Sequence, residues 1–110
     1  MTEVVFLDDI IQACEKIGRY TAGTTLEGFR RDEKTIDAVV RNLEIIGEAA
    51  KSLPEDLRTN IAADWKRLAG LRDVLIHAYF GIDVDIIWDI AQTKVPELRR
   101  SVTAYLNQHP

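Results

Sequence analysis

The chain has 110 residues, 46% hydrophobic and 29% charged, enough apolar material for one core and too much for a disordered segment. A single cysteine, Cys14, excludes an internal disulfide, and no apolar run approaches the roughly 18 residues of a membrane span. Fourteen basic against 18 acidic residues leave a net charge of -4, which excludes coating nucleic acid by bulk charge but leaves room for a local basic site.

The opening Met1-Thr2-Glu3 lacks the basic start of a secretory signal, so a cytoplasmic protein is expected. With three prolines, six glycines and no linker, one domain over residues 1–110 is expected. The first helix is predicted from Glu3 to Ala22, on the spacing of Val4, Leu7, Ile11, Cys14 and Ile17. Gly23-Thr24-Thr25 breaks it, and Leu26 to Arg31 reads as a short helical turn. Asp32 is placed to cap a second long helix from Glu33 to Leu53, with a stripe of Ile36, Val39, Val40, Leu43, Ile46 and Ala50. Pro54 ends it, and Pro54 to Ala63 reads as a short connecting helix. Trp65 opens a longer helix through Leu68, Leu71, Leu75, Ile76 and Tyr79, stopped by Gly81. Asp83 caps the next, carrying Val84, Ile87, Trp88 and Ala91. Pro96 sits in the first turn of a last helix with Leu98, Val102, Tyr105 and Leu106. No segment alternates as a strand. The expected fold is all-α, an up-and-down bundle of four to five helices.

The second long helix carries more apolar surface than one stripe needs. Ile45 and Ala49 lie about 240° and 280° round from Val39, and Gly47 near 80°. Two explanations stand: a central helix touching several neighbours, or a second face used for dimerisation.

Chemistry concentrates in Leu71-Arg72-Asp73-Val74-Leu75-Ile76-His77-Ala78-Tyr79-Phe80. Of two histidines, His109 lies near the end of the chain, so His77 is the candidate acid or base near neutral pH. Asp73 and His77 are four apart, within reach of one another. Arg72 and Tyr79 lie about 20° from alignment on one face. Arg72 and His77 are about 140° apart, so one helix does not easily aim both at one phosphate. Two copies about a two-fold axis would. Such a cleft suits RNA cleavage by its own 2′-OH, with histidine moving a proton, arginine holding the phosphate and no metal required. The plainer alternative is a buried core histidine beside a surface salt bridge, with Tyr79 a packing aromatic.

These residues carry a resemblance. Arg72, His77 and Tyr79 match the Arg-x4-His-x-Tyr motif of the HepT-like branch of the HEPN superfamily, toxins paired with minimal nucleotidyltransferase antitoxins. Asn42 to Lys51, Trp65 to Arg72, Tyr79 to Asp83 and Trp88 resemble the family's flanking segments, in the same order. The resemblance implies a helical bundle that dimerises about a two-fold axis and could assemble further. It implies metal-independent RNA cleavage by Arg72 and His77 from both subunits, supported by Asp73. No cofactor is expected for this chain, ATP and Mg2+ being used by the partner antitoxin. That partner would transfer AMP to Tyr79, placing bulk and negative charge on the face of Arg72. The alternative is a non-catalytic dimeric module that holds a nucleotidyltransferase or binds a nucleotide.

Asp73 stands where many HEPN proteins carry asparagine, and its charge would raise the pKa of His77 and favour the acid role. The groups available to guide RNA are Arg30-Arg31, Lys66-Arg67, Arg72 and Arg99-Arg100. Asp83, Asp85 and Asp89 read as helix-capping charge rather than a cation site. Cys14 reads as buried packing, and Trp65 and Trp88 as core or interface anchors.

Overall fold

The computed structural model describes residues 2–80 and 83–109, and the side chains of all of these except residues 2–4 and 76–80. Among the described residues every regular element is helical, as the periodicity predicts: α1 (Thr2–Thr21), α2 (Leu26–Arg30), α3 (Glu33–Ser52), α4 (Glu55–Asn60), α5 (Trp65–Ala69), α6 (Leu71–Phe80), α7 (Val84–Asp89), a π-helical turn (Ile90–Lys94) and α8 (Val95–Gln108). None of the described helices is long and apolar enough to cross a membrane.

Three long helices make the frame, with α3 packed on α1 and α1 on α8. From α1, Leu7, Ile10, Ala13, Cys14 and Ile17 are buried, so its inward face is rotated slightly from the expected stripe, and Ile11 is only half-buried. Val4 lies outside the described side chains. Gly23 turns the chain out of α1 at φ +73°, a left-handed conformation that disfavours any residue with a Cβ. Thr25 then caps α2, its Oγ1 accepting from Gly28 N–H at 3.1 Å.

Asp32 caps α3 as expected, accepting from the Thr35 hydroxyl at 2.6 Å and the Thr35 N–H at 3.0 Å. These bonds, the hydroxyl's first, hold its carboxyl below the ordinary range. The helix then crosses the molecule, meeting α1, α2, α5, α6 and α7. Gly47, Ala49 and Ala50 are all buried within the single chain, so the central position of α3 accounts for most of its wide apolar surface. Ile45 remains half-buried.

At Gly47 the backbone of α5 comes close to α3. A Cβ there would lie 3.3 Å from the Leu68 carbonyl oxygen and 3.5 Å from Leu71 Cβ. The helix accepts the weak propensity of glycine, about 1 kcal/mol against alanine, and α5 and α6 lie directly on it in return.

Two boundaries differ from expectation. The helix predicted from Trp65 to Tyr79 is broken at Gly70, whose N–H closes α5 on the carbonyls of Lys66 and Arg67 while its own carbonyl accepts from Asp73 and Val74. Arg72 and Asp73 therefore stand in a first turn, not mid-helix. Conversely, the last two predicted helices are joined. Pro96 has no N–H, and its ring would clash with the carbonyl four residues back in a regular α-helix. The backbone widens instead, Val95 N–H bonding to Ile90 five residues back, and runs unbroken from α7 into α8.

Trp65 is buried, its indole N–H donating to the Ile61 carbonyl at 2.9 Å, and Trp88 tilts against the buried ring of Phe29 at 5.1 Å between centroids. Cys14 is packed in the core as expected, and burial pushes its thiol up to about 12. Iodoacetamide at about pH 8 should therefore leave Cys14 unmodified in the folded chain and alkylate it fully once denatured, read by intact mass. Gly47→Leu should overpack the α3–α5 contact by about 1–3 kcal/mol. A melting temperature unchanged from wild type would contradict the close approach.

Candidate active site

The site is built on α6. Leu71 and Leu75 are buried and Val74 is half-buried, which turns Arg72 and Asp73 outward to solvent. His77 and Tyr79 fall on the same helix, but their side chains lie outside the described residues, and with them any pairing of Asp73 with His77. Asp73 has a local role of its own, as the acidic residue of the first turn of α6.

Arg72 enters a cleft of about 220 Å³ between α6 and the polar face of α3, lined also by Arg41, Glu44, Gly47, Glu48, Lys51 and Ala69. Asp73 is not part of this lining. Three cations face two carboxylates there, so the local charge is positive in a chain whose net charge is -4. The close packing at Gly47 brings Arg72 to α3.

Arg41 and Lys51 were not among the basic groups expected from sequence. The signal was available, because Arg41, Glu44, Glu48 and Lys51 recur at three- and four-residue spacing and lie within about 80° of one another on α3. What the spacing lacks is the identity of the neighbour. Several of the expected cations are instead tied to carboxylates. Arg30 makes a forked pair with Asp85, Nε to Oδ1 at 2.8 Å and NH2 to Oδ2 at 2.6 Å. Arg31 pairs with Glu27, and Arg99 with Glu15 at 3.0 Å.

The Arg30 pair also resolves the acidic run. Asp83 occupies the N-cap of α7 but accepts no capping bond through its side chain, while Asp85 serves Arg30. Among the described residues no three His, Cys, Asp or Glu side chains converge to hold a metal ion.

A family model described as ribonuclease HepT-like matches residues 10–105. The chain belongs to the HepT-like ribonuclease family. A protein of Methanocaldococcus jannaschii provisionally named as an RNase is 50% identical over 92 residues, covering 83% of this chain and 76% of the relative. A probable ribonuclease HepT of Thermococcus cleftensis is 44% identical over 95 residues, covering 86% of each. A third relative, from Caldanaerobacter subterraneus and also provisionally named as an RNase, is 41% identical over 104 residues, 94% of this chain and 93% of its own. No solved structure matches. The family, the all-α fold and the ribonuclease class are those expected from the sequence.

The Arg30–Asp85 pair of this HepT-like chain has a pH signature. The hydrogen bond from Arg30 holds the Asp85 carboxyl below its ordinary value of 3.8 and raises Arg30. A lowered folded-state pKa contributes stability above the unfolded value, lost as pH falls through the folded one. Asp85→Asn should therefore melt slightly below wild type at neutral pH, with the gap closing only on acidification below 3.8 and shrinking in high salt.

Proposed function

We propose that this chain is the ribonuclease toxin of a toxin–antitoxin pair, with Arg72 and His77 at a composite site formed by two copies. One observation carries the reading. Arg72 stands exposed in a positively charged cleft, on the helix that also bears His77, in a chain of the HepT-like ribonuclease family. Its place in the first turn of α6 adds the positive end of the helix dipole to the guanidinium, both favourable to phosphate.

The reaction needs no metal. A histidine takes the proton from the RNA 2′-OH, and that oxygen attacks the adjacent phosphorus. The bond to the 5′-oxygen breaks, and a protonated histidine gives that oxygen its proton, leaving a 2′,3′-cyclic phosphate and a 5′-hydroxyl. Arg72 holds the non-bridging oxygens as charge develops on them. Because Arg72 and His77 diverge on one helix, a two-fold dimer supplies the set, with Asp73 as a supporting residue. Arg41 and Lys51 extend the positive surface and guide the strand.

Control is by adenylylation. The Tyr79 phenol oxygen, giving up its proton, attacks the α-phosphorus of ATP on a partner nucleotidyltransferase, and pyrophosphate leaves. ATP and Mg2+ belong to that partner, and this chain carries no cofactor. The attached AMP puts a phosphate on the side of the helix that carries Arg72, where it competes with RNA.

RNA cleavage in excess EDTA tests this. Wild type should cut, while Arg72→Ala and His77→Ala should each lose about 10²–10⁴-fold with the oligomeric state unchanged. Arg41→Ala and Lys51→Ala should raise KM several-fold at nearly constant kcat. Cleavage by His77→Ala equal to wild type would sink the mechanism. A wild type of unadenylylated mass that neither cuts RNA nor arrests growth would mark a binding module instead.

A further inference from the structure

A cavity larger than the Arg72 cleft lies on another side of α6. It is a groove of about 570 Å³ between α5–α6 and the continuous helix from α7 into α8. Leu68, Leu71 and Val74 form one apolar wall, and Ile86, Ile90 and Leu98 the other. Ile86 is 43% exposed, a large aliphatic side chain turned to water. Five carboxylates, Asp64, Asp83, Asp85, Asp89 and Glu97, stand round this apolar floor against two cations, Arg67 and Lys94. Asp64 caps α5 and Asp85 holds Arg30. Asp83, Asp89 and Glu97 have no ion pair among the described residues.

We propose that this groove is the docking site for a cationic amphipathic helix of a second protein. Charge selects the occupant. An acidic rim repels RNA, and a second copy seated on the same groove about a two-fold axis would set acidic rim against acidic rim. A helix with apolar residues on one face and Lys or Arg on its flanks satisfies floor and rim together. Its length follows from the floor: Ile86 to Leu98 spans about 18 Å, three helical turns. The π-turn forms the middle of that wall through Ile90 and Lys94, and such turns are frequent at functional sites. The inference is independent of the nuclease reading. Leu71 faces this groove and the adjacent Arg72 the other cleft, so an occupant would bear on α6 without covering Arg72.

Fluorescence anisotropy of the full chain tests it, with no RNA present. The probe is a labelled synthetic helix of about 14 residues, with leucines at i, i+3, i+4 and i+7 and lysines flanking them. A companion peptide carries glutamate for lysine. The lysine peptide should bind at about 10 μM and the glutamate peptide not. Ile86→Asp and the double variant Asp89→Lys, Glu97→Lys should each weaken binding about tenfold. The double variant Glu55→Lys, Asp56→Lys makes the same charge change on α4, which buries none of its residues, and should cost at most about twofold. Several results overturn the proposal: no binding by about 1 mM, equal losses in both double variants, displacement of the peptide by single-stranded RNA, or loss by Ile86→Asp of a self-association that wild type shows in sedimentation.

Discussion

At Gly47 a hydrogen atom stands where any other residue would press a methyl group towards the Leu68 carbonyl. A Cβ there would make α5 give way by a few tenths of an ångström. The cleft that joins Arg72 to Arg41 and Lys51 has Gly47 in its own lining, at this close contact. Leu71, buried beside Gly47, belongs to the same contact, and the adjacent Arg72 turns outward. A residue with no side chain thus lies at the junction of α3 with the helix that carries Arg72.

The second organising feature is the sorting of charge around α6. Its two flanking cavities share no lining residue among those described and have opposite electrostatic character, cation-rich beside α3 and carboxylate-rich beside α7 and α8. The net charge of -4 averages over this contrast and hides it. Ion pairing sharpens it, because Arg30, Arg31 and Arg99 are spent on Asp85, Glu27 and Glu15. The Arg72 cleft instead gathers three cations, Arg41, Lys51 and Arg72, at one place.

Amphipathic helices are legible in sequence because burial repeats with the helical period, and α1, α3 and α8 stand close to where their stripes put them. The break at Gly70 was obscured because apolar spacing continues across it from Trp65 to Leu75. The fusion of α7 with α8 was obscured for the opposite reason. Proline ordinarily marks a boundary, and a π-turn that absorbs it has no period to reveal it. At the candidate site, Arg72 and Asp73 were found through their anomaly in an apolar helix. Arg41 and Lys51 were not, because a polar face on α3 becomes part of a site only once α6 is laid beside it. The Arg30–Asp85 pair links residues 55 positions apart, beyond any local pattern.

The π-turn before Pro96 also constrains how this chain can vary. A π-turn holds one residue more than the α-helical turn it replaces. Deleting a single residue between Ile90 and Lys94 would take away that extra width and set the Pro96 ring against the carbonyl four residues before it. The helix would then have to kink or break ahead of α8 to relieve that clash. A kink at that point would tilt the buried Leu98 and Val102 against α1. A length change that any surface loop would absorb is therefore forbidden here, in a stretch whose residues are mostly exposed and individually replaceable.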